Sequence, residues 1–511
     1  MSHWVTLPTA LHSKSSERAR TSLAEGVGSP FPLNGMGNVQ GVDMKSIDQT
    51  YQFDSRLSNC DSCPLQVAKD EGECLSYRPV SFNGIMIIGE FPQAAEQRVG
   101  FPIAGRRQTV LQECLSWAEI DLAHCYVSNA VLCSPSSSDP ARAKTALGAA
   151  LHCRSRLLTE ISHLKPRIII PLGQAPLDMI TGVRTEVTKR IPSDCGTCGN
   201  KRSWFVWTCS RTKCDAPDIL WNTANKPGEI HECSDGNTGK WVRRKRTCSD
   251  CNGKLTQVVS EEVFVSDHSI SSIAGSVSRL SQYDAGRYVE NPEEILVIPS
   301  WSPSHLMRPV KSTNDKKVGG QFLVGAACHH FAKAKRLLDS DPRHTFTWSV
   351  AESPDAISEF LAEEKHPDSL YAVDIETNNK DPYQVTDVTC VGIGSLSRRK
   401  VIVVDTSGKS ASDPLVQRCI EFLESKVRKI YQNGNYDITV LSRLWNVDHR
   451  EYAGDTMVLH HAVAPDEPHN LSHLAFTYTD VAPWKPPKKK GGMEYFSTKE
   501  MLHEYNARDV A

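Results

Sequence analysis

The segment 371–377, YAVDIET, reads as a short buried strand that ends with two carboxylates. Asp374 and Glu376 stand at i and i+2, so on a strand both project from one face. Carboxylates held that close repel, and burying them is costly without compensation. A divalent cation is the usual compensation, since hard oxygen ligands suit Mg²⁺ or Mn²⁺. Two later segments add acids. The stretch 432–441, QNGNYDITVL, is a turn that opens into an apolar run and carries Asp437. The stretch 505–509, YNARD, puts Tyr505 and Asp509 four apart, on one helical face. Four acids drawn from separate segments are what two-metal phosphodiester hydrolysis requires. One cation lowers the pKa of the attacking water and the other stabilises the leaving 3′ oxygen.

This ordered set resembles the DEDD superfamily of 3′–5′ exonucleases, in the variety with Tyr in the third motif. The resemblance implies that Asp374, Glu376, Asp437 and Asp509 hold two Mg²⁺ or Mn²⁺ ions and that Tyr505 orients the water. It implies a single-stranded DNA 3′ end as substrate and an RNase H-like core. Strand candidates at 370–375, 388–393 and 400–404, then a helix over about 414–425, fit that β-β-β-α order. DTM at 455–457 and NLSHL at 470–474 resemble segments of phage-type family A DNA polymerases. That likeness implies the proofreading part of a replicative polymerase, acting in the cytoplasm of an infected bacterium. The sequence given stops two residues after Asp509 with no C-cap glycine. The expectation is that a polymerase domain follows Ala511 or is supplied by a separate chain.

At 511 residues the chain is too long for one core, and two or three domains are expected. No apolar run approaches membrane-spanning length, and the first residues lack an apolar signal-peptide core. A formal net charge of −2 means that nucleic-acid binding must come from local basic patches. Seventeen cysteines without a secretion signal argue for metal ligation over a disulfide framework. Residues 1–50, rich in Ser, Gly and Pro, read as a disordered arm. The reading then places an α/β domain over 51–340, interrupted by a cysteine-rich insertion at 190–260, and a second domain over 345–511.

Cys60 and Cys63 form a CxxC pair, and Cys133 and Cys153 lie further on. Four such thiolates suit either Zn²⁺ or a [4Fe–4S] cluster. Cys74, Cys114 and Cys125 read as ordinary buried thiols. Apolar strand candidates at 85–88, 125–128, 167–173 and 295–299 alternate with helices, and polar loops follow their carboxyl ends. That pattern indicates an α/β sheet with a site along one edge.

The succession resembles the family 4 uracil-DNA glycosylases. The resemblance implies a [4Fe–4S] cluster on Cys60, Cys63, Cys133 and Cys153. It also implies a pocket built from Glu90, from Ile103 where the family has an aromatic, from Asn129 as the uracil-reading Asn, and from Ser302 where the family has His. Gln93 replaces the final Gly of the family's first loop. A flipped base is held by stacking and edge hydrogen bonds, and excision needs stabilisation of the departing anion. Ile103 and Ser302 remove one contribution to each, so a glycosylase-like, DNA-binding domain with weak or no uracil excision is expected. The competing readings are an active uracil-DNA glycosylase and a non-catalytic, metal-stapled DNA-binding scaffold. In the insertion, Cys195, Cys198, Cys248 and Cys251 form two CxxC knuckles of zinc-ribbon character, a possible Zn²⁺ site.

Overall fold

A computed structural model describes residues 60, 63, 65, 76, 77, 79–93, 96, 99–134, 142–188, 190–194, 201–209, 219–221, 230–232, 238–240, 255–257, 259–309, 311–313, 316–318, 320–342, 346–363, 369–486 and 496–511. The expected N-terminal arm and Cys195, Cys198, Cys248 and Cys251 lie outside these residues.

The first sheet is built from β1 (Ile85–Gly89), then α1 (Arg106–Trp117), β2 (Tyr126–Asn129), α2 (Arg142–Leu164), β3 (Ile168–Pro171) and α3 (Gln174–Thr181). Two short strands, β4 (Ser278–Arg279) and β5 (Leu296–Val297), complete it before α4 (Pro303–Leu306) and α5 (Val324–Leu337). The strand order is β4-β5-β3-β1-β2, with β1, β2, β3 and β5 mutually parallel. β1 and β3 are buried along their whole length. That explains their unbroken apolar sequences, since a parallel sheet is covered on both faces. The loops after β1, β2 and β5 therefore emerge at one edge. Between α3 and β4 the chain makes an antiparallel excursion. Its stem pairs Val183–Thr188 with Val259–Val265, and within it Lys201–Cys209 pairs with Arg190–Asp194, Ile219–Trp221 and Leu255–Gln257.

The second sheet follows. Its elements are β6 (Thr347–Val350), α6 (Pro354–Ala362), β7 (Leu370–Thr377), β8 (Val388–Ser395), β9 (Lys400–Asp405), α7 (Pro414–Leu423) and β10 (Arg428–Tyr431). Then come α8 (Asn435–Trp445), β11 (Tyr452–Asp455), α9 (Thr456–Val463), α10 (Leu471–Tyr478) and α11 (Lys499–Asp509). The order is β6-β9-β8-β7-β10-β11, with β8 antiparallel to both β7 and β9. β7 lies inside this sheet, parallel to β10. The sequence places the three antiparallel strands and α7 correctly. It does not anticipate β6, whose four residues are all exposed.

The two sheets are not separated by a free linker. Asp341 pairs with Arg167 at 2.9 Å. Further on, Val277 N–H donates to the Val481 carbonyl at 3.0 Å, and Arg336 pairs with Asp480. The segment after α9 thus returns to the first domain.

Candidate functional site

Asp374, Glu376 and Asp509 each offer a carboxylate oxygen within 4.8 Å of the others. Two of them come from β7, and the third comes from the last turn of α11. α11 reaches the sheet because β8 carries glycine where it crosses. A Cβ at Gly392 would lie 2.5 Å from Asn506 Oδ1, and one at Gly394 would lie 2.1 Å from the Val510 carbonyl. Any other residue there would push the helix away.

Asp437, in the first turn of α8, accepts a hydrogen bond from Ile375 N–H at 3.1 Å. It stands beside the trio, one oxygen committed to the β7 backbone. Its helix is fixed by Asp455, which accepts from Asn433 N–H at 3.1 Å, Gly434 N–H at 2.7 Å and Met457 N–H at 2.8 Å. Asp455 therefore joins the turn before α8 to the start of α9.

The electrostatics are those of a site short of positive charge. Burial, and then Asp437, Asp509 and Glu376, hold the Asp374 carboxyl far above the usual carboxylate range, against the pull of Lys485. Burial first and Asp509 next push Glu376 up to about 8. Asp437 is pushed up to about 7, mainly by burial and against the backbone N–H groups it accepts from. Hard, crowded oxygen donors of this kind fit a divalent cation.

Three residues missed in the sequence complete the site. Lys485 Nζ donates to Asp509 Oδ2 at 2.8 Å and to Tyr505 Oη at 3.1 Å. Trp484 Nε1 donates to the other Asp509 oxygen. Asn506 Nδ2 donates to Asp374 Oδ2 at 2.9 Å. Only Asn506 had a signal, since it follows Tyr505 inside the third motif. Burial and Asp509 raise the Tyr505 phenol above its ordinary range, so it stays protonated.

A second cluster lies at the edge of the first sheet. Asn129, at the end of β2, is fully buried, and neither its side-chain oxygen nor its nitrogen has a hydrogen-bond partner. A Cβ at Gly89 would fall 2.3 Å from Asn129 Oδ1 and 3.3 Å from Ile103 Cδ1. Ile103 adopts φ 57°, a strained conformation for a β-branched residue. Ser302 caps α4, and its hydroxyl also bonds Glu90, whose carboxyl burial pushes upward. Asn129 and Ile103 thus meet beside Gly89, while Glu90, the next residue, meets Ser302.

Of the four expected cluster cysteines, Cys153 belongs to the first domain's core, and Cys63 and Cys133 pack against it. Cys60 is tied to Cys63 by the turn bond from Cys63 N–H to the Cys60 carbonyl, 3.1 Å. Thiolates are the donors that a soft metal or an iron–sulfur cluster takes. Cys114 and Cys125 are buried as expected, and Cys74 lies outside the described residues.

Residues 79–319 match the family model described as Uracil DNA glycosylase superfamily, and residues 350–511 match the one described as 3′-5′ exonuclease. A type-4 uracil-DNA glycosylase of Pyrobaculum aerophilum is 33% identical over 123 residues, 23% of this chain and 57% of the relative. One of Thermotoga maritima is 31% identical over 140 residues, 26% of this chain and 67% of the relative. The chain therefore spans little more than half the length of the first of these relatives. Among solved structures, Brucella melitensis NrnC aligns with a TM-score of 0.25 and 17% identity, over 32% of this chain and 74% of that one.

Proposed function

We propose, for a chain that joins a uracil-DNA glycosylase superfamily domain with type-4 homologues to a 3′–5′ exonuclease domain, that it trims DNA from the 3′ end as the proofreading part of a DNA polymerase. The observation that carries the reading is the convergence of Asp374, Glu376 and Asp509 beside Asp437. These four would hold two Mg²⁺ or Mn²⁺ ions. When bound, such ions supply an activated water and stabilise the departing 3′ oxygen.

The chain's own residues do the positioning. Asn506 locks the rotation of the Asp374 carboxylate, and Ile375 N–H does the same for Asp437. Tyr505, kept as a neutral phenol and held by Lys485, offers a hydrogen bond that orients water. Mn²⁺-dependent release of mononucleotides from a labelled single strand tests the reading. Full release in excess chelator would sink it.

The N-terminal domain reads as a DNA-binding, glycosylase-like module with its [4Fe–4S] cluster on Cys60, Cys63, Cys133 and Cys153. Uracil excision itself is a second reading, favoured by the unpartnered carboxamide of Asn129. Ile103 and Ser302 weigh against fast excision, because stacking and anion stabilisation both lose a group. Alkali-labile cleavage at uracil, at a rate lost in Asn129→Ala, would select that second reading.

A further inference from the structure

We propose that His460, Glu467 and His473 form a transition-metal site of the Zn²⁺ type, separate from the acidic cluster, which staples α9 to α10. His460 lies on α9 and His473 in the first turn of α10, while Glu467 comes from the loop between them. Their donor atoms all lie within 4.8 Å of one another. Glu467 Oε2 stands 2.9 Å from His473 Nε2 and 3.8 Å from His460 Nε2. Zn–N and Zn–O bonds of ~2.0–2.1 Å in a tetrahedron put ligand atoms roughly 3.3 Å apart. The observed spacings bracket that value.

A histidine–glutamate hydrogen bond accounts for His473 and leaves His460 unexplained. The His460 ring is 5% exposed, and its Nε2 is buried with no hydrogen-bond partner. Its other nitrogen is engaged: Nδ1 meets His469 Nδ1 at 2.8 Å, and His469 Nε2 meets His461 Nδ1 at 3.0 Å. If His460 donates into this relay, its Nε2 lone pair faces a carboxylate. If it accepts, its Nε2–H has no acceptor within reach. A cation between Nε2 and Glu467 resolves the first arrangement and gives each atom a partner. Metal-bound histidines commonly donate their second ring N–H in this way. Two imidazoles and one carboxylate suit Zn²⁺ better than Mg²⁺ or Ca²⁺.

The location suggests a structural staple. α10 carries the Phe476 carbonyl that meets Lys333, and Tyr478, whose ring meets His329 edge-on at 5.2 Å. Trp301, beside Ser302, lies 6.1 Å from the His473 ring. A metal at His473 would therefore stiffen the helix that joins the two domains.

The test is a titration of the metal-free full chain with Co²⁺ in excess Mg²⁺, read as difference spectra, with zinc content measured in parallel. The expected result is a ligand-field component that Glu467→Gln and His473→Gln lose, with thiolate charge transfer unchanged and one zinc fewer per chain. Asp374→Asn and Cys195→Ser should keep that component. Zn²⁺ should raise the melting temperature of the wild type more than that of Glu467→Gln. Absence of the component in the wild type, its persistence in Glu467→Gln, or its loss in Asp374→Asn would overturn the proposal. The wild-type spectrum decides even where a variant folds poorly.

Discussion

The Lys333 Nζ on α5 donates to the carbonyl oxygen of Phe476 on α10, 143 residues further along the chain. It also donates to the Gly275 carbonyl at 2.6 Å, and it is buried. Lys333 thereby joins Arg336, which pairs with Asp480, in holding together two domains that the sequence separates by a short polar stretch. Lys333→Met keeps the aliphatic stem and strands both carbonyls, each at a cost of about 1–3 kcal/mol. Scanning calorimetry should then resolve two unfolding transitions where the wild type shows one.

Asp374→Ala should reduce 3′ end hydrolysis roughly a thousandfold or more, since losing a ligand removes several kcal/mol of transition-state stabilisation. The metal-free melting temperature should hold or rise, because a carboxylate crowded by Asp437, Asp509 and Glu376 is gone. A large drop in melting temperature would show the residue to be structural.

Glu376 and Asp437 sit above their ordinary values, at about 8 and about 7, mainly through burial. The folded, metal-free protein therefore binds more protons than the unfolded chain between about pH 4.5 and 8. Its stability should fall as pH rises through that window. Metal binding must displace those protons, so Mg²⁺ affinity should rise over the same range. Denaturant titrations at pH 5.5 and 8.0, with and without Mg²⁺, measure both slopes, and Glu376→Gln should flatten them.

Lys485→Met should loosen the metal-free site and tighten metal binding at once. The ammonium now stands 2.8 Å from Asp509, competing for the carboxylate that a cation needs. Its removal should cost ~1–3 kcal/mol without metal, allowing for partial exposure of the pair. Isothermal titration with Mn²⁺ should give a lower Kd than the wild type.

Asn506→Ala leaves every acid in place and frees Asp374 to rotate. Loss of a group that orients a ligand typically costs 10–100-fold. The expected signature is a fall of about that size, most of it recovered at high Mn²⁺.

Much of this was legible in the sequence because it rests on local pattern. β1, β3 and β7–β9 announce themselves by apolar runs or alternation, and the acids stand at strand or helix spacings. Lys485 and Trp484 could not be read that way. They sit in an aperiodic loop, and only the tertiary path brings them to Asp509. Asp455 looked like part of a polymerase-type motif. Its three backbone hydrogen bonds show it as the clasp that sets where Asp437 begins its helix. The cluster of His460, Glu467 and His473 was invisible for a different reason: its members are spread over two helices and a loop with no fixed period.

The glycines of β8 have a consequence for anyone who engineers this protein. Gly392 and Gly394 are poor strand formers, and a stability-minded redesign would replace them with valine. Local propensity would improve, yet each new side chain would occupy the space through which α11 approaches the sheet. The variant would keep its strand order and lose the alignment of Asp509 with Asp374. Screens ranked by heat tolerance alone would promote such variants, and only an assay of turnover would expose them.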